Sequence, residues 1–234
     1  MSVTNQGDSN GQGAGKEDPV IMLRLLSAIG QDSAITQRSL SGELGIALGL
    51  ANAYLKRCAK KGLIKVRQVP LNRYAYYLTP KGFSEKSRLT AEYLKVSFNF
   101  FRDARAECGA LLEEAGKQGR RRIALVGAGE LAEIAVLSTG EIDVDIVCVI
   151  DGQTGLRRCA GKPVVGDLAA ALHLARADGG LDGFLITDTL APQRRYDRMV
   201  AESADAGFPA EYIMAPRLLR ITHAAPTQAM AAAK

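Results

Sequence analysis

The ten residues from Val126 to Ala135, VGAGELAEIA, constrain the fold more tightly than any other stretch of the chain. An apolar run leads into Gly127, Gly129 and Ala132, which have the spacing G-x-G-x-x-A, and a helix-like pattern follows. In such a turn the first glycine lets the chain reverse tightly at a strand end. The second lets backbone come close to a phosphate group, and the small third residue lets helix and strand pack closely. A helix that starts there offers free N–H groups and the positive end of its dipole to an anion. The candidate ligand-contacting residues are therefore Gly127, Ala128, Gly129, Glu130 and Leu131. The plain structural alternative is a glycine turn kept only for packing.

The rest of the second half extends this unit. VDIVCVID ends a second strand at Asp151, where a carboxylate accepts from ribose hydroxyls and favours NAD over NADP. KPVVG is a short third strand, DLAAALHLARA a helix begun by Asp167, and DGFLITD a fourth strand ending in Thr187 and Asp188. APQRRYDRMVAESADAG reads as a helix with Pro192 near its start, and AEYIMAP as a fifth strand. Strands alternating with helices imply a parallel, doubly wound α/β sheet whose ligands sit at the carboxyl ends of the strands. Thr187 joins the candidate ligand residues on that ground.

No catalytic residue is expected. The second half has no Tyr-x-x-x-Lys pair, and the one such spacing in the chain, Tyr77 to Lys81, contains Thr79-Pro80, which disfavours helix. No Ser–His–Asp set stands out. The four cysteines are far apart and the two histidines isolated, so no metal site is expected. Cys58, Cys108 and Cys148 sit at apolar positions and read as inert thiols. Cys159 follows Arg157 and Arg158, which favour a thiolate.

The first half is a different object. The net charge of +5 is concentrated there: between Glu43 and Glu85 no residue is acidic, while Lys56, Arg57, Lys60, Lys61, Lys65, Arg67, Arg73 and Lys81 are basic. A concentrated basic surface is the footprint of a polyanion partner. PVIMLRLLSAIG reads as a helix stopped by Gly30. TQRSLSGELGI reads as a second, capped by Thr36 and closed at Gly45. ALGLANAYLKRCAKKG reads as a third ending at Gly62, with Ala51, Leu55 and Cys58 inward. LIKVRQV and RYAYYLT around Pro-Leu-Asn read as a hairpin. Three helices and a basic hairpin in that order make a winged helix-turn-helix, whose third helix enters the major groove of duplex DNA while the wing follows the backbone. The DNA-facing candidates are Leu48, Asn52, Ala53, Lys56 and Lys60 on the third helix and Arg67, Asn72 and Arg73 on the wing. Asn52 suits a bidentate adenine contact, Lys56 guanine or phosphate.

The segments LGIALGLANAYLKRCAKKGLIKV and YAYYLTPKGFSEKSRLTAEYLK, within about Ile21 to Leu112, resemble MarR-type winged-helix regulators associated with exopolysaccharide gene clusters. Leu-Thr-Pro-Lys-Gly, Leu78 to Gly82, is the most distinctive part, and Asn52 and Leu55 match that pattern. Ala47 and Leu50 depart from it, standing where the family has Ser and Lys. VGAGELAEIA, VCVIDG and AGKPVVGDLAAAL resemble the small Rossmann domains that open sugar-nucleotide-modifying enzymes. They also resemble CoA-binding-type domains and the sensor half of NADH-responsive redox repressors.

The expected organisation is α/β overall. A disordered tail covers 1–18, and the winged helix-turn-helix (α+β) 19–81. A long connecting helix and linker follow over 82–118, then a small parallel Rossmann-like domain over 119–221 and a second tail over 222–234. In the long helix Leu89, Tyr93, Val96, Phe100 and Leu111 form a seam that suits packing against another helix, either as core against the second domain or as the seam of a homodimer. No run is long and apolar enough to span a bilayer, and no signal peptide is evident, so a cytoplasmic location is expected. The resulting expectation is a transcriptional regulator with two partners, double-stranded DNA and a small nucleotide-type ligand. The resemblance adds a link to polysaccharide synthesis. The ligand is unidentified, with NAD(H), a nucleotide sugar or CoA as candidates. Two alternatives stay open: a nucleotide-sugar or NAD-dependent enzyme that uses its winged helix for assembly, and a regulator whose second domain is a non-binding scaffold.

Overall fold

A computed structural model describes residues 18–70, 73–140 and 142–222, with Arg73 described only in its backbone. The chain divides into two compact units between Ser97 and Phe98.

In the first unit, helix α1 (Pro19–Gln31) starts where the Asp18 carboxylate accepts from the N–H groups of Val20 and Ile21, at 2.8 and 3.4 Å. Asp18, assigned to a tail on sequence, is thus the cap of this helix. Helix α2 (Gln37–Leu44) is capped by the Thr36 hydroxyl, which accepts from the Ser39 N–H at 3.1 Å. Gly45, at φ 66°, supplies the left-handed turn into α3 (Leu48–Lys60). Strands β1 (Ile64–Val69) and β2 (Arg73–Leu78) pair antiparallel from Val69↔Arg73 to Ile64↔Leu78. The apolar faces meet in one core that includes Leu25, Leu26, Leu40, Leu55, Cys58 and Tyr76.

Helix α4 (Pro80–Lys117) follows the wing directly. The Leu-Thr-Pro-Lys-Gly stretch explains how. The Thr79 hydroxyl donates to the Gly62 carbonyl at 2.7 Å, and Lys81 Nζ donates to the Lys61 carbonyl at 3.0 Å. A Cβ at Gly82 would lie 2.0 Å from the Leu63 carbonyl oxygen, so only glycine permits that approach. The stretch therefore pins the start of α4 to the turn that ends α3. The seam read from the sequence meets a core at each end: Leu89 is buried in the core of the first unit, and half-buried Leu111 packs against that of the second. Between them Tyr93, Val96 and Phe100 are exposed, together with Leu94, Phe98 and Phe101.

In the second unit, Ala104, Cys108, Leu112 and Ala115 of α4 join the core of a six-stranded sheet. The elements run β3 (Arg122–Val126), α5 (Glu130–Leu137), β4 (Asp145–Ile150), β5 (Arg158–Cys159) and β6 (Lys162–Val165). They continue with α6 (Leu168–Ala175), β7 (Gly183–Ile186), α7 (Pro192–Asp205) and β8 (Ile213–Met214). The spatial order is β5-β6-β4-β3-β7-β8, parallel except for β5 against β6. Counting only the parallel strands, the chain steps outward on one side of β3, then returns to the other. That is the doubly wound order 3-2-1-4-5, with its switch point between β3 and β7. Strand β7, and β3 after Arg122, are apolar and buried because both faces are covered. The two-residue β5 escaped sequence reading, being too short to show a period. Ile221 and Thr222 continue beyond β8, and the Thr222 N–H donates to the Gln193 side chain at 2.7 Å.

Candidate nucleic-acid interface and glycine-loop site

On α3 the inward residues are Ala51, Tyr54, Leu55 and Cys58. Leu48, Gly49, Leu50, Ala53, Lys56, Arg57 and Lys60 are exposed, as are Lys65 and Arg67 on β1. Arg67 lies over the ring of Tyr77, 5.9 Å from its centroid, which stiffens the outer surface of the wing. Leu48, Ala53, Lys56, Lys60 and Arg67 are therefore each accessible. Asn72 lies outside the described residues, and the Arg73 side chain is not described. Asn52 differs from its expected pose. It is half-buried, and its Oδ1 is buried with no hydrogen-bond partner. A bidentate adenine contact needs both amide atoms presented, so Asn52 must rotate outward to make one. Ala47, at the N-cap of α3, makes no side-chain cap.

The glycine loop lies at the carboxyl end of β3, facing the switch point. Gly127, at φ 108°, is held from the β7 side: a Cβ there would meet the backbone nitrogen of Asp188 at 2.6 Å. The Thr187 hydroxyl donates to the Gly127 carbonyl at 2.6 Å, and the N–H groups of Thr187 and Asp188 donate to the Val126 carbonyl. The two strand ends are thus stitched together, and Thr187 is buried. Gly129 differs: it has φ 155° and ψ −168°, a Gly-favoured conformation, with open space where a Cβ would point. Ala128 is half-buried, Leu131 is buried in the core, and Glu130 is exposed. Glu130 and Glu133 occupy the first turn of α5, where their charges already complement the helix dipole.

Asp151 ends β4, but its carboxylate is engaged within the protein. One oxygen accepts from the Ala128 N–H at 2.9 Å, and the other accepts from the Gln153 N–H at 2.9 Å. The Arg195 guanidinium approaches it at 3.5 Å and donates to Asp188 at 3.0 Å. Asp188 also accepts from the N–H groups of Leu190 and Ala191, fixing the entry to α7. Burial pushes the Asp188 carboxyl up, but the bonds from Ala191, Arg195 and Leu190, with the Arg195 charge, outweigh it and hold it below the usual range. A cavity of about 250 Å³ opens beside this network, lined by the ends of β3 and β4, Gln153, Asp167 and, from α7, Arg195, Arg198, Met199 and Glu202.

Sequence reading missed Arg195, which sits in the first turn of α7 with no motif around it, and Gln153. It also missed Gly49 and Leu50 on α3. Cys159 is buried in the core of the second unit rather than presented beside its arginines. Among the described residues no three His, Cys, Asp or Glu side chains gather as a metal-binding set.

Residues 20–65 match the family of winged helix-turn-helix DNA-binding domains. No curated protein matches the chain. Among solved structures, the PcaV transcriptional regulator of Streptomyces coelicolor, in complex with its natural ligand, is 19% identical at a TM-score of 0.33. That match covers 35% of this chain and 59% of PcaV. FabT of Streptococcus pneumoniae, in complex with DNA, is 25% identical at a TM-score of 0.29, over 35% of this chain and 58% of FabT. An O-methyltransferase from neocarzinostatin biosynthesis, with S-adenosyl-L-homocysteine, is 14% identical at a TM-score of 0.28, over 81% of this chain and 80% of that one. These two matches thus span less than two thirds of the PcaV and FabT chains compared, and similarity at these scores carries no functional weight. Among the described residues no helix is long and apolar enough to cross a membrane.

Proposed function

We propose that the chain is a MarR-type DNA-binding transcriptional regulator, acting as a homodimer in the cytoplasm, whose α/β unit senses a small nucleotide-type ligand. The observation that carries the DNA reading is the coincidence of fold and charge. Helix α3 and the wing expose Lys56, Lys60, Lys65 and Arg67, and the interval between Glu43 and Glu85 holds no carboxylate to oppose them. A duplex presents a phosphate array to such a surface. The dimer reading is supported by the exposed apolar middle of α4, because DNA regulators with two-fold symmetry read two half-sites.

Ligand sensing is supported by Gly129, whose backbone conformation and open foreground suit close approach of a ligand, and by the neighbouring cavity at the strand ends. The cavity, about 250 Å³, lies at the strand ends where doubly wound sheets hold their ligands. A ligand there acts on DNA binding only through different affinities for two arrangements of the protein. A second reading, the non-binding scaffold, is favoured by one specific observation. Asp151 spends its carboxylate on Ala128, Gln153 and Arg195, where a ribose-binding acid would be available.

Titration of fluorescent duplex at several salt concentrations tests the DNA reading. Lys56→Ala with Arg67→Ala should lower affinity and flatten the salt dependence, by a slope of about 0.9 for each phosphate no longer neutralised. Unchanged affinity and slope overturn it. Thermal shift with NADH, NAD, UDP-sugars and CoA tests the sensor, since a ligand bound only to the native state raises the melting point. No shift with any of them, nor with a cell extract, leaves the scaffold reading in its place.

A further inference from the structure

The first two turns of α3 present carbon to the outside where a DNA-reading helix usually presents hydrogen-bonding groups. Leu48 is 43% exposed and Leu50 45%. Gly49 and Ala53 are exposed between them, and the cationic side chains begin only at Lys56. With about 3.6 residues per turn, Gly49, Ala53, Lys56 and Lys60 fall on a line opposite the buried Ala51, Leu55 and Cys58, and the two leucines flank it.

Nothing in the packing requires this surface. A Cβ at Gly49 would meet no atom within 4 Å, so glycine, a poor helix former, is not demanded by a neighbour. Neither leucine is part of the core of its unit. Along α3 the apolar surface gives way to exposed Lys56 and Lys60, and Lys65 and Arg67 are exposed on β1, in an interval with no acidic residue. A partner must therefore combine dense negative charge with small apolar projections. Duplex DNA does so in its major groove, where the thymine C5-methyl is the apolar group displayed on a base edge.

We propose that Leu48 and Leu50 read thymine methyl groups in the major groove, with Gly49 and Ala53 setting how closely the helix backbone approaches the bases. This rests on the DNA-binding reading above. Specificity at the positions facing these turns then comes from van der Waals contact, while Lys56, Lys60 and the wing supply affinity without selecting sequence.

The test uses the full-length protein and an operator selected from a randomised duplex pool. Affinity is measured for that operator and for the same duplex with deoxyuridine in place of each thymidine, which removes only the methyl groups. Each buried methyl contact should contribute about fourfold. Wild type should therefore bind the deoxyuridine duplex several-fold more weakly, and Leu48→Ala with Leu50→Ala should bind both duplexes alike. Both leucines are exposed, and an unchanged melting temperature confirms that the variant is folded. Equal binding of the two duplexes by wild type overturns this proposal alone. So does a leucine variant that keeps the discrimination, because the methyl groups are then read elsewhere. Failure to bind any duplex at low salt overturns the DNA reading itself.

Discussion

A Cβ placed on Gly127 would lie 2.6 Å from the backbone nitrogen of Asp188. The glycine that opens the loop is therefore required by the neighbouring strand end, whatever the loop binds. Gly127→Ala must both adopt φ near 108° and push back the chain after β7. A left-handed non-glycine residue costs about 1–3 kcal/mol, and displacing packed backbone adds a comparable amount. Urea denaturation should show a loss of about 3 kcal/mol or more. A variant as stable as wild type would mean that the two strand ends are not in contact.

Arg195 carries the second prediction. Its side chain is nearly buried between two carboxylates, and losing one partner of a buried ion pair costs about 3–5 kcal/mol. Arg195→Met should be destabilised on that scale at pH 7. The pH dependence has a definite sign. The Asp188 carboxyl is held below its ordinary value, so its contribution is present above pH of about 4 and is lost as pH falls through the folded value. Protonation removes the charge that Arg195 compensates. The stability gap between wild type and Arg195→Met should therefore narrow on acidification from pH 7 to below about 4. A gap constant over that range would show that Arg195 contributes packing alone.

The legible parts of this chain were those where one periodicity and one punctuating residue agreed. Thr36, Gly45 and Gly62 bracket α2 and α3 as their residue types require. The strand from Arg122 and the helix from Glu130 follow from an apolar run and a glycine turn. What stayed hidden depends on pairs distant in sequence. Asp151 looks like a ribose acceptor until the chain returns and brings Arg195 to it, and Gly127 looks like a phosphate turn until Asp188 arrives beside it. Neither partner is marked by spacing. Asn52 is a subtler case: α3 places it at the edge of the exposed face, and only the rotamer shows its oxygen turned inward.

The cysteines give a prediction with a spectroscopic readout. All four are buried and none is in a disulfide. Burial, with a smaller effect from the Glu107 charge, pushes the Cys108 thiol up to about 12, and burial pushes Cys148 up to about 11. A chromogenic disulfide reagent at pH 8 should find almost no thiol in native protein and all four after unfolding. A raised thiol contributes stability that is complete below the unfolded value of about 8.5 and is lost as pH rises through the folded value. Unfolding free energy should thus fall through the alkaline range, and less so in Cys148→Ala. Prompt reaction of one thiol in native protein would mark it as accessible.

The exposed middle of α4 leads to the last prediction. Tyr93 is 51% exposed, Val96 68% and Phe100 39%, and their spacing of three and four residues places them on one face of the helix. Large apolar side chains clustered this densely on a surface mark an association site more often than scattered single ones do. Their neighbours on either side along α4, Leu89 and Ala104, are already in the cores of the two units, so the stripe does not complete either core. A second copy pairing through this segment would bury it, and helix pairs of that kind are driven by apolar seams. Tyr93→Glu with Phe100→Glu places two carboxylates in the stripe while leaving both cores untouched. Light scattering should give a dimer for wild type and a monomer for the double variant, with melting of the isolated units little changed. On a palindromic duplex the variant should lose the steep dependence of binding on protein concentration, because two half-sites would no longer be filled together. A wild type that stays monomeric at high concentration removes the homodimer from the proposed function.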